Sequence, residues 1–458
     1  MQVAGKYKTF TTDEKFYYIE AKGISANNIY KTPASLDGNT SYIGDFGFHG
    51  VSYALKDGWL AKLFFCSEDP PLVWNNVFTC LLTLVVILLF KPFSLNIRLK
   101  IALIVLTHYV LFSYTLSYMQ ETIHYLFAAI ALWNLYLLYT NGNNRKYLYS
   151  YLLLMIIAIT FRYGWFIWGV GLLPLAKNYA EFFKWALVVA AIALFAIVFN
   201  RYIAAPYPYG LVADSITGME KFSLINAVKI AFNNFSDSLQ LFIMPAERTD
   251  TTVMRYLMLV LLFTNTWFSI IKRNRFVIAC TLVGWTYFFS ALTFYVAFWG
   301  YDERALAVLN PLLAFSLVGA GNKLIFYPVI AVQLFLFPSV VKGTEERNQT
   351  SIDSNTPSPE YMAIKRSYSK IGDLITDDTA TVVELSINMV RHGALDYFTD
   401  LPLVNSKGHP IHYRIYRLGK DLRGIHNPRY FLNPPEGRIP PNCELIYSDS
   451  WMNLYRAF

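Results

Sequence analysis

Two short stretches carry side chains suited to moving a proton or holding a cation. TTDEKFYYIEA sets Asp13 and Glu14 side by side ahead of a run of aromatic residues, and QETIHYLF sets Glu121 and His124 three apart at the start of an apolar run. Residues three apart share a helix face, so Glu121 and His124 are expected to act as a carboxylate–imidazole pair. Such a set suits general acid–base work or a divalent cation. His49 is a further acceptor or metal-proximal candidate, in GDFGFHG, where glycines let the backbone approach a ligand closely. Each residue also has a plainer reading: adjacent carboxylates in a polar segment are usually solvated, and a lone histidine is more often a satisfied core residue. Their conjunction puts function ahead.

Arginines form the second group. Arg162 in TFRYGW, Arg201, Arg255 and Arg304 in YDERALAVLNP all fall near the ends of apolar runs. A guanidinium makes paired bonds to phosphate oxygens, so Arg304, Arg162 and Arg255 are candidates for holding a phosphate. Arg201 reads as an interfacial anchor, its stem along apolar surface and its head in water.

The elements that must position these groups are mostly membrane helices. Of the 458 residues, 55% are hydrophobic and 15% charged, against about 25% charged in soluble domains. The net charge of +8 is scattered through short connections, which argues against a nucleic-acid partner and for anionic membrane lipid. Cys66, Cys80, Cys280 and Cys443 show no metal-ligand spacing. Apolar segments recur at 73–90, 101–118, 122–139, 147–161, 165–175, 185–199, 253–271, 276–298, 305–317 and 324–341. Most approach the roughly 20 residues that span a bilayer. Every second connection is basic: Lys91, Arg98 and Lys100; Arg145 and Lys146; Lys177 and Lys184; Lys272, Arg273 and Arg275; Lys323. Cytoplasmic loops retain such residues, so about ten crossings are predicted, with both termini and the candidate residues outside.

The fold class that follows is an all-α polytopic membrane protein with a small C-terminal extracytoplasmic α/β domain. Residues 1–72 are expected to be an outer first loop carrying the acidic pair, with short amphipathic stretches such as 51–65. Residues 73–341 form the transmembrane part, and 342–359, rich in Ser, Thr, Asn and Pro, a linker. Residues 360–458 complete the chain, with a helix over 360–375 and strands at 381–385, 413–418, 444–447 and 451–455. Residues 1–10 lack the apolar core of a signal sequence. Either the amino terminus is translocated or a helix precedes this sequence.

The order of these motifs resembles the C-type glycosyltransferase superfamily, which includes protein O-mannosyltransferases and lipid A aminoarabinose transferases. The resemblance is carried by Asp13–Glu14 followed by Tyr17 and Ala21, by FGFHGVSYALKDGWLAKLF, by the stretch from Met119, by FRYGW around Arg162 and by YDERALAVLNPLLAF from Tyr301. It implies an inverting transferase that takes a sugar from a polyprenyl-phosphate donor to a glycan, lipid or protein acceptor, at the outer face of a bacterial inner membrane. Asp13 would be the base or metal-proximal carboxylate, Glu14 its partner and Arg304 a phosphate clamp; a divalent cation is the candidate cofactor. Family members open with a transmembrane helix before the acidic loop, which this sequence does not show. Two other readings stay open. An O-antigen polymerase or ligase would share the carrier but should lack an acidic pair in a long first loop. A lipid-linked glycan transporter would carry ionisable or broken-helix positions near the midplane, whereas the charges here cluster at outer ends.

Overall fold

The structure is a computed structural model that describes residues 12–36, 40–47, 50–66, 70–117, 119–141, 144–204, 223–246, 248–294, 306–321, 325–355, 359–386, 399–416, 428–437, 439–440 and 442–458. The acidic stretch is helical: α1 spans Thr12–Asn27. Carboxylates in a first turn complement the helix dipole, and Asn28, left-handed at φ 55°, supplies a helix stop that Asn shares with Gly. Apolar residues on two faces make α1 a plate between two cores. Tyr17, Tyr18 and Ala21 join the core of the membrane helices, while Phe16 and Ile19 join that of the C-terminal region. The stretch 1–72, expected as a loop, is helical over α1 among its described residues. It also contains strand β1, Ala34–Leu36, and helix α2, Ser52–Leu63.

The membrane helices are α3 Leu72–Leu88, α4 Leu95–Leu106, α5 Tyr109–Thr115, α6 Glu121–Thr140, α7 Arg145–Phe161, a 3-10 helix Tyr163–Leu175, α8 Tyr179–Tyr202, α9 Leu224–Ile243, α10 Thr249–Lys272, α11 Arg275–Phe294, α12 Leu309–Gly319 and α13 Phe326–Asn355. Among the described residues five are long and apolar enough to cross a bilayer, or six if α4 and α5, bent by 66° at their junction, count as one span. The ten crossings expected from the alternating basic loops are thus not all matched by helices of spanning length. The 17 residues of α3, the 13 of the 3-10 helix and the 11 of α12 fall at or below the lower limit. Gly164, Gly169, Gly171 and Pro174 explain why the 3-10 segment does not wind as a longer α-helix. Helix α9 lies within 201–252, a stretch expected from the alternation of basic loops to be an outer connection. Its signal was present, since Ser223 caps the first turn by accepting from the Asn226 amide and Phe235, Leu239 and Phe242 recur at helical spacing.

The polar stretch expected to be a linker continues α13 as far as Asn355. Beyond it come α14 Pro359–Leu374 and strands β2 Thr381–Ser386, β3 Ile411–Tyr416, β4 Tyr430–Asn433, β5 Cys443–Ser448 and β6 Asn453–Ala457. The sheet runs β1-β3-β2-β4-β6-β5, parallel across its first four strands and antiparallel at β4-β6-β5. Ile364, Tyr368 and Ile371 of α14 cover Val383, Leu385, Tyr413 and Leu432. The edge strand β1 comes from the first 72 residues, with Ala34 opposite Tyr413. Sequentially remote regions therefore share one sheet.

Candidate active site

Helix α6 begins at Glu121, and the turn before it is nailed down by two adjacent asparagines of α3. The Asn76 amide donates to the carbonyl oxygens of Ser117 at 2.8 Å and Met119 at 2.5 Å, and accepts from the Thr122 hydroxyl at 2.9 Å. Asn75 donates to Oδ1 of Asp57 at 2.9 Å, and Gln120 donates to its Oδ2 at 2.7 Å. Lys56 completes the set, 3.2 Å from Asp57 and donating to the Gln120 side-chain oxygen at 2.8 Å. A buried charge is tolerable only when paired and hydrogen-bonded, which this closed network achieves for Asp57.

Glu121 is less completely served. It is 4% exposed; its Oε1 lies 3.4 Å from a guanidinium nitrogen of Arg162, and its Oε2 is buried with no hydrogen-bond partner. Arg162 occupies the extended residue between α7 and the 3-10 helix, so the break in the helices aims a cation at the start of α6. A buried carboxylate oxygen without a donor is costly. It is the group here best placed to accept a proton or a hydrogen bond from something that enters.

His124, one turn on, is committed at both ring nitrogens. The Trp165 indole donates to Nδ1 at 3.0 Å, and an indole N–H can only donate. The ring proton therefore sits on Nε2, which contacts the Tyr53 hydroxyl at 2.7 Å. This imidazole is neutral, accepts from Trp165 and donates to Tyr53, which keeps the tyrosine proton for a different partner. In this arrangement Trp165 orients the His124 ring through Nδ1. The Tyr53 ring meets Tyr17 of α1 edge-on, centroids 5.4 Å apart. Glu14, 2% exposed, stands one turn before Tyr17 on α1. For Asp13 the described part is the backbone, in the first turn of α1.

The expected residues divide accordingly. Glu121 and Arg162 meet at 3.4 Å, one helical turn from His124. His49 and Arg304 lie outside the described residues. Arg255, expected to bind phosphate, is 4% exposed and donates to the carbonyl oxygens of Leu241 at 3.1 Å and Met244 at 3.5 Å. It caps the C-terminal end of α9, where a cation suits the exposed carbonyls. Among the described residues no three His, Cys, Asp or Glu side chains converge as a metal site would. Sequence reading missed Tyr53, Asp57, Asn75 and Asn76. The twin asparagines in VWNNV were a usable signal, because polar side chains within an apolar run are expensive unless employed.

No family model and no curated protein matches the sequence. Several solved structures resemble the fold, and two illustrate the likeness. One is ArnT from Cupriavidus metallidurans in the apo state, at TM-score 0.50 and 10% identity over 98% of this chain and 94% of that one. The other is the Archaeoglobus fulgidus oligosaccharyltransferase complex with Zn and sulfate, at TM-score 0.48 and 12% identity. That match covers 87% of this chain and 60% of the oligosaccharyltransferase. At the level of fold, the likeness to ArnT bears out the resemblance to the C-type glycosyltransferases read from the motifs.

Proposed function

We propose that this protein is an integral membrane glycosyltransferase that moves a sugar from a polyprenyl-phosphate carrier to a glycan, lipid or protein acceptor at the outer membrane face. The observation that carries the reading is the likeness to ArnT along nearly the whole chain, together with the buried Glu121 carboxylate facing Arg162.

An acceptor hydroxyl is a weak nucleophile until a carboxylate accepts its proton. Asp13, with Glu14 as neighbour, takes that proton while the acceptor oxygen bonds to the anomeric carbon. The bond from that carbon to the phosphate oxygen breaks, and the lipid phosphate leaves with the electron pair. A single displacement of this kind inverts the anomeric centre. Arg304 and Arg162 offset the charge growing on the phosphate, where low water content strengthens each contact. Glu121 holds Arg162 in place and offers its second oxygen to the acceptor. The candidate cofactor, a divalent cation, would be held by Asp13 and Glu14 and would supply positive charge beside the departing phosphate.

Mass analysis of envelope glycans from cells with and without the protein tests the reading. A glycan, lipid or glycoprotein that loses one sugar in its absence supports it; identical envelopes, with the lipid-linked donor also unchanged, would overturn it.

A further inference from the structure

Thr32 stands where three parts of the chain meet, and its hydrogen bonds do not balance unless a neighbour carries a proton. Its hydroxyl lies 2.8 Å from the Ala34 carbonyl oxygen and 2.9 Å from Oε1 of Glu20 on α1. A threonine hydroxyl has one proton, and a carbonyl only accepts. Both contacts are hydrogen bonds when Thr32 donates to Ala34 and Glu20, as a carboxylic acid, donates to Thr32. Burial independently pushes the Glu20 carboxyl up to about 7. On the other side of the segment, His412 of β3 bonds the Thr32 carbonyl oxygen through Nδ1 at 2.8 Å and the Ser35 hydroxyl through Nε2 at 2.9 Å.

We propose that residues 31–36 are a proton-operated clasp between the helix bearing the acidic pair and the C-terminal sheet, closed when Glu20 is protonated and loosened when it is not. The surroundings suit an acid rather than an anion. Helix α2 presents Ala54, and Val51 precedes it, both apolar; Lys31 lines the recess but is held by Asp45 at 2.7 Å. Tyr30 lines the same recess, and Arg414 and Asp45 are the charges that reach His412 besides Lys31. Gly47 closes over the carboxyl so tightly that a Cβ there would collide with Oε1 of Glu20. An ionised Glu20 competes with the Ala34 carbonyl for the single Thr32 proton, so one of the two contacts that run from α1 through Thr32 to β1 is lost. The clasp holds whether or not the chain transfers sugars; only its effect on the acidic pair rests on the proposed function.

Hydrogen exchange of the full chain in detergent micelles, read between pH 6 and 8.5 and corrected for intrinsic rates, tests it. Protection of the amides in 29–36 and 411–416 should fall at least tenfold as pH rises, and by less than twofold in Glu20→Gln, whose carboxamide donates at every pH. Thr32→Val, which keeps Glu20 itself, should show low protection with a flat profile. Constant protection in the wild type, an undiminished fall in Glu20→Gln, or a fall abolished by His412→Gln with Glu20 intact would each overturn the clasp.

Discussion

Glu121 is the residue whose surroundings are least settled, and that makes it informative. With Oε1 on Arg162 and Oε2 unserved, removing the cation leaves a buried carboxylate alone. Arg162→Ala should destabilise the protein by about 3 kcal/mol, measured by thermal unfolding in detergent, and Arg162→Ala combined with Glu121→Gln should recover most of it. Glu20 yields a pH prediction. Its folded carboxyl holds a proton up to about pH 7 against an ordinary 4.5, so protonation favours the folded state. That contribution is complete below about 4.5 and is lost as the pH rises to about 7, a change of about 3 kcal/mol. Glu20→Gln should flatten stability over this window; an unchanged slope in the variant would remove Glu20 as its source. The acidic pair, Glu121 and Arg162 could be picked out from sequence because charge is rare in such an apolar chain. What His124 and Arg255 do could not, since each is decided by partners, Trp165 and the end of α9, that no spacing reveals.

The turn before α6 shows how an element is placed by another far along the chain. Asn76 satisfies two carbonyls and Thr122 at once, so Asn76→Ala strands buried polar groups and should cost about 1–3 kcal/mol. Because the same turn carries Glu121, sugar transfer should fall more steeply than expression in membranes. Matched losses of the two would mean that the turn is structural only. The apolar helices were legible as long hydrophobic runs. The bend between α4 and α5 and the 3-10 winding after Arg162 were not, because both are backbone choices made by packing rather than by hydrophobic period. Strands β1 and β4, three and four residues long, are too short to alternate visibly, and α13 runs through a stretch whose composition favours a coil.

Across the whole molecule, α1 is the piece shared by the membrane bundle and the C-terminal sheet. Truncation before α14 should strip β1 of its partner and uncover Phe16 and Ile19. Limited proteolysis should then cut within 12–50 while the membrane helices persist. A truncated chain whose first fifty residues resist protease as well as the full chain would show that α1 stands without the sheet. That dependence was invisible in the sequence, where some 375 residues separate the two paired strands. The transfer chemistry assigned to Asp13 stands at the centre of the proposed function. Purified wild-type and Asp13→Asn proteins in nanodiscs, given a synthetic polyprenyl-phosphate sugar and detergent-extracted envelope acceptors, provide its most direct test. The expected result is release of polyprenyl phosphate by the wild type and at least a hundredfold less by the folded variant. Equal release by both would contradict it.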